Sequence, residues 1–185
     1  MNTSKNNDVP AFFRHVDVHT HIDRPDAQAI VNITPRQQLG ANRWYSVGIH
    51  PWDAATATDD DWCRLAALAD DPRVVAIGEA GLDTRHEPIV PLDVQERVFV
   101  RQAQLAQELD KPLIIHAVGA LNRIIELRRE LHATVPWIIH GFRGKPQQAA
   151  ELVRHGFHIS IGPKHNPAAL AAIPPDRLLH ESDAL

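Results

Sequence analysis

The chain has 185 residues, 44 % of them hydrophobic and 23 % charged. This excludes a disordered, collagen-like or low-complexity chain and suits one domain with a sizeable core. Its 19 Lys and Arg against 23 Asp and Glu leave a net charge of −4, which excludes a general polyanion binder held by bulk charge.

In chain order, residues 1–10 are polar and lack the apolar core of a secretory signal. They are expected to form a flexible tail ahead of a single domain over residues 11–185. Eight short apolar runs follow, at 13–18, 27–33, 44–49, 74–78, 112–115, 137–139, 157–161 and 177–179. Most are nearly continuous in Val, Ile and Leu, as in strands buried on both faces of a parallel sheet. Helical patterns lie between the later runs. An acidic start at Thr58-Asp59-Asp60-Asp61 precedes Trp62, Leu65 and Leu68. Segments 91–109, 120–131 and 145–154 read as helices, and 168–173 is a short Ala-rich helix stopped by Pro174 and Pro175.

Strand–helix alternation with eight strands predicts an α/β fold, a TIM-like (β/α) barrel. The barrel is expected to be abbreviated. Its first two connections are too short for crossover helices, and the chain stops at Leu185 without a final helix. No run approaches the roughly 18 apolar residues of a membrane span. The one cysteine, Cys63, excludes an intrachain disulfide and fits a reducing, cytoplasmic setting.

The outlying count is histidine, 12 against one Tyr and one Met. In a parallel barrel the active site lies at the carboxyl ends of the strands. The predicted strand ends carry Asp17-Val18-His19-Thr20-His21, His50-Pro51-Trp52, Gly78-Glu79-Ala80-Gly81-Leu82-Asp83, His116, His140 and Glu181-Ser182-Asp183. Residues two apart on a strand share a face, so His19 and His21 point together into the mouth. One such pair is weak evidence, and His116 or His140 alone reads as a satisfied core histidine. The whole set at one rim predicts a metal site. Four histidines and two carboxylates exceed what one ion takes while keeping an open position. Two divalent ions bridged by Glu79 is the economical expectation, and the mixed nitrogen and oxygen donors do not choose between Mg, Mn and Zn.

These segments resemble the TatD family of metal-dependent deoxyribonucleases, among the amidohydrolase-like barrels. The likeness runs nearly end to end, through Gly48-Ile49-His50-Pro51, Ile77 to Asp83, Lys111 to His116, Ile139-His140-Gly141-Phe142 and Glu181-Ser182-Asp183. The resemblance implies that His19, His21, Glu79 and Asp183 hold one ion and that Glu79, His116 and His140 hold the second. It implies a hydrolase that cleaves phosphodiester bonds of DNA, or of another such substrate, by metal-activated water. Asp183 and Glu79 are its expected catalytic carboxylates, Asp183 orienting or deprotonating the water. The chain departs from the family at Gly141, where Cys is more usual, and at Val118-Gly119, where Arg-Asp is frequent. No lysine lies between Asp71 and Glu87, which separates the chain from barrels that bridge their ions with a carboxylated lysine.

Other residues have two readings each. His50 and Trp52 touch substrate, Trp52 by stacking a base, or Trp52 only packs under the next helix. Asp17, Asp83 and Glu181 orient ligands or serve the turns. Arg85, Arg143 and Lys145 contact phosphate or form a solvated rim. His15, His132, His155, His158 and His180 lie away from the mouth as surface or packing residues. The rival functions are hydrolysis of a small amide or ester on the same binuclear site, and an inactive truncated module. Neither a membrane nor an obligate protein partner is expected.

Overall fold

The computed structural model describes residues 7–24 and 28–184. It contains eight strands: β1 Asp17–Thr20, β2 Ala29–Ile33, β3 Trp44–Val47, β4 Val74–Asp83, β5 Leu113–Val118, β6 Trp137–Ile139, β7 His158–Ile161 and β8 Leu178–His180. They pair in parallel in sequence order, β1 to β8. The helices are α1 Asp59–Ala69, α2 Leu92–Glu108, α3 Leu121–Glu130, α4 Pro146–Arg154 and α5 Pro167–Leu170. The expected TIM-like barrel is therefore observed. Among the described residues no helix lies between β1 and β2, between β2 and β3, or after β8.

The barrel is closed just beyond β8. His21 N–H donates to the Ala184 carbonyl (2.8 Å), and Asp183 N–H donates to the His19 carbonyl (3.0 Å). Asp17 Oδ1 accepts from Ser182 N–H at 3.0 Å across the same seam.

Two apolar clusters hold the fold. The inner one joins Val18, Ile30, Ala76, Ile114, Ile138 and Leu179, from six strands, with Val9, Phe13 and Val16 beneath them. The outer one packs the other faces of the strands against the helices, around Phe99, Trp137 and Phe157. A fully buried side chain of this kind contributes roughly 1.5–3 kcal/mol. Local signals set the helix ends. Thr58 caps α1 by accepting from Asp61 N–H, while Asp61 accepts from Thr58 N–H in return.

Some elements differ from the sequence reading. The run at 13–18 is a strand only from Asp17, because Ala11–His15 forms a 3-10 turn that drives Phe13 into the floor. The run at 74–78 continues as strand to Asp83. The helix expected at 168–173 spans only Pro167–Leu170, with Asn166 capping its start. A 3-10 turn at Pro51–Thr56, not expected, follows β3. Ala27 of the second run lies outside the described residues.

Of the tail expected over residues 1–10, residues 1–6 lie outside the described residues. Asn7–Pro10 dock on the floor: Val9 is buried, and Asn7 Nδ2 donates to the Gly156 carbonyl at 3.0 Å. Nearby, fully buried His158 sets its Nε2 3.2 Å from Asp8 Oδ1. Burial, with Arg177 beside it, presses the His158 pKa down to about 4 against the pull of Asp8.

Candidate metal centre

Strand alternation delivers part of the site directly. Ile114 and Ile138 belong to the inner cluster, and His116 and His140 stand two residues later on the same strand faces. Glu79 needs more. Ala76 lies in the inner cluster, whereas Ile77, Ala80 and Leu82 lie in the outer one. Simple alternation from Ile77 would put Glu79 outside. The register shift between Ile77 and Ala80 breaks the alternation and turns Glu79 inward. The flanking glycines permit it. A Cβ on Gly78, at φ +130°, would sit 2.4 Å from the Ile114 carbonyl oxygen. Asn32 Oδ1 then accepts from Glu79 N–H at 2.6 Å and from Ser46 Oγ at 3.1 Å, which fixes the turned backbone.

The two oxygens of buried Glu79 face different partners. Oε2 lies 3.4 Å from His19 Nε2 and 3.8 Å from His21 Nε2. Oε1 lies 2.7 Å from His140 Nε2, 2.8 Å from His116 Nδ1 and 3.4 Å from His50 Nε2. Asp183 Oδ1 is 3.9 Å from His19 Nε2. Ligand-type atoms converge in three overlapping groups: His19, His140 and Asp183; His19, His21 and Glu79; His50, Glu79 and His116. The six residues expected as ligands thus meet in one mouth. His50, expected at most to touch substrate, joins them, and His140 lies close to both sides, its ring 4.3 Å from that of His19.

The donor set fits a divalent ion. His19 is fully buried, and neither of its ring nitrogens completes a hydrogen bond among the described residues. A buried imidazole left this way carries a desolvation cost that a coordinated ion removes. Burial and the neighbouring His19 lower the pKa of His21, which keeps its lone pair available at neutral pH. Burial works to raise Glu79, but His140, His116 and His19 outweigh it and hold its carboxyl well below the usual range. The same contacts, with Glu181, hold His140 well above the usual imidazole value despite its burial.

A second set of carboxylates stands behind the rings. Asp83 Oδ2 lies 3.1 Å from His116 Nε2 and accepts from Trp52 Nε1 at 3.0 Å. Glu181 Oε1 lies 3.5 Å from His140 Nδ1, and its other oxygen accepts a close hydrogen bond from Ser160 Oγ. The Asp83 contact fixes the orientation and tautomer of the His116 ring, while Glu181 sets its charge behind the His140 ring without a completed hydrogen bond. Asp17 takes main-chain N–H groups of His19 (3.1 Å) and Ser182, so it braces the seam rather than an imidazole. From α2, two buried glutamines reach the strand ends. Gln95 accepts from Asp83 N–H and Gln102 from Ile49 N–H, each at 2.7 Å.

A cleft of about 740 Å³ opens beside the centre, lined in part by Arg85, His116, Gly119, Arg143 and Asp183. Arg143 Nη2 is 3.8 Å from Asp183 Oδ2. Lys145 is not part of that lining; it is exposed at the start of α4, where its N–H donates to Gln148. Its sequence position after β6 does not bring it to the cleft.

Residues 18–184 match the family model described as TatD related DNase. The "3'-5' ssDNA/RNA exonuclease TatD" of Cronobacter turicensis is 37 % identical over 153 residues, covering 78 % of this chain and 58 % of the relative. The "uncharacterized metal-dependent hydrolase YabD" of Bacillus subtilis is 36 % identical over 146 residues, covering 75 % and 57 %. The chain thus spans less than two thirds of these relatives. Among solved structures, the TatD homologue YJJV of Escherichia coli superposes with a TM-score of 0.75 at 23 % identity, covering 93 % of this chain and 80 % of that one. The likeness to that structure shows the barrel fold.

Proposed function

The chain belongs to the TatD related DNase family, and from that premise we propose that it is a divalent-metal-dependent hydrolase that cleaves phosphodiester bonds of nucleic acid. The observation that carries the reading is Glu79, whose two oxygens face two different sets of imidazoles. We assign two ions, Mg, Mn or Zn. His19, His21, Glu79 and Asp183 hold one, and Glu79, His116 and His140 hold the other. Bound there, they supply Lewis-acid stabilisation of phosphoryl charge and a lowered pKa for water.

The residues divide the remaining work. Asp183, part exposed and reached by Arg143, orients the attacking water and receives its proton. Asp83 holds the His116 ring at a fixed angle, and Glu181 places a negative charge behind the His140 ring. Arg85 and Arg143 meet the phosphate in the cleft, and His50, beside Glu79, meets the substrate next to the ions. DNA, or another phosphodiester chain, is the partner.

The test is cleavage of single-stranded DNA and RNA by the purified chain with Mg, Mn or Zn added. The parent is expected to cut only with a divalent ion, and Glu79→Ala and His116→Ala to lose that activity. Variants as active as the parent would sink the assignment.

A further inference from the structure

Among the described residues only two large apolar side chains stand well out in solvent, Trp52 at 51 % and Ile89 at 73 %. Trp52 is the one at the rim of the metal centre. It lies in the 3-10 turn that follows β3, and its ring centroid is 6.3 Å from that of His116. An exposed indole normally costs hydration and rotamer freedom, yet this one is held on three sides. Its Nε1–H donates to buried Asp83 (3.0 Å), and the His50 ring stands perpendicular to it, centroids 5.0 Å apart. His86 stacks on one face, centroids 4.8 Å apart and planes 16° from parallel. The His86 ring is itself carried by a hydrogen-bonded turn, His86 N–H donating to the Asp83 carbonyl at 3.1 Å.

We propose that Trp52, backed by His86, is a stacking platform for one nucleobase of the strand whose phosphate lies on the metal centre. A base sits one sugar away from its phosphate, and here the indole sits one imidazole away from Glu79. Trp52 keeps about half of its residue surface in solvent. Stacking needs a flat, rigid, exposed π-face and no particular edge pattern, so the platform accepts any base. The ligand class is therefore a base-bearing single strand rather than a bare sugar–phosphate chain or a small amide. Asp83 acts as a positioning residue: one of its oxygens serves both the indole N–H and the ring of His116, so the platform and the metal centre share an anchor. The inference rests on the nuclease reading of the site and narrows its substrate.

Fluorescence anisotropy of end-labelled probes, in the presence of a divalent ion, tests it directly. The probes are a short single-stranded oligodeoxynucleotide with phosphorothioate linkages and an abasic chain with the same linkages. The parent is expected to bind the base-bearing probe tighter by roughly 5- to 150-fold, the equivalent of one stacked base. Trp52→Ala is expected to bring the ratio of base-bearing to abasic affinity to about one, whatever its effect on the two affinities together, and Trp52→Phe to restore most of that ratio. No preference in the parent, or an equal preference in Trp52→Ala, overturns the platform. Base-selective binding without any metal-dependent cleavage leaves the platform standing and removes the nuclease reading instead.

Discussion

The two ends of the barrel bury histidine beside carboxylate in opposite ways. At the mouth, five imidazoles converge on the two oxygens of Glu79, and His19 keeps both nitrogens without a hydrogen bond. At the floor, His158 faces a single carboxylate, Asp8, with Arg177 and Arg14 close by. The mouth concentrates electron pairs on buried His19 and Glu79 beside an open cleft, an arrangement suited to a cation. At the floor burial first, and the Arg177 charge second, make protonation costly and leave the ring neutral. A histidine excess is therefore not itself a metal signal. What distinguishes the mouth is convergence on a shared acceptor.

The largest expected effect breaks that convergence. Glu79→Ala is expected to lower metal-dependent cleavage by on the order of a thousandfold. It is also expected to abolish any rise in melting temperature on adding a divalent ion, read by scanning calorimetry. The next concerns the floor. The pKa of His158 falls from 6.5 to about 4 on folding, so the unfolded chain binds more protons throughout that window. Stability is fully present above pH 6.5 and declines as pH falls towards 4, by about 3 kcal/mol. His158→Asn is expected to flatten that slope in denaturant titrations; an unchanged slope would assign the acid sensitivity elsewhere.

Smaller effects sharpen the contrast. Asp83→Asn and Glu181→Gln leave the convergent atoms in place and loosen only their supports. Each is expected to weaken metal affinity or activity by about 10- to 100-fold, measured by competition with a metal indicator. The floor counterpart is Arg14→Ala, which removes the 2.7 Å ion pair to Asp8. Both partners are partly exposed, so its cost in a denaturant titration is expected to stay within about 1 kcal/mol.

Much of this was legible in the sequence, because period-2 burial announces its own strands. Ile114 and Ile138, each two residues before a histidine in a continuous apolar run, fix the facing of His116 and His140 without a structure. Glu79 was legible as a strand-end acid, but its inward aim depends on a register shift that no local pattern encodes. Asn32 was hidden inside an apolar run, and Gln95 and Gln102 look like solvent positions. Their one signal is a spacing of seven on α2, two helical turns, which puts both on the buried face beside Phe99 and Ala106. The docking of Asn7–Pro10 was invisible because its partners, Gly156 and His158, are supplied by distant chain. His50 was placed at the rim but not against Glu79, since the reach of a side chain across a barrel is a property of the closed ring.

The closing seam has a consequence in time. Asp17 and Ser182 are 165 residues apart in sequence, yet one hydrogen bond joins them beside His19. During synthesis His19 and His21 emerge well before β8 and Asp183. Contacts of this separation are slow to form. A growing chain therefore carries an incomplete set of convergent side chains until residues 181–184 dock against β1, and divalent-ion binding is expected to appear abruptly at that step.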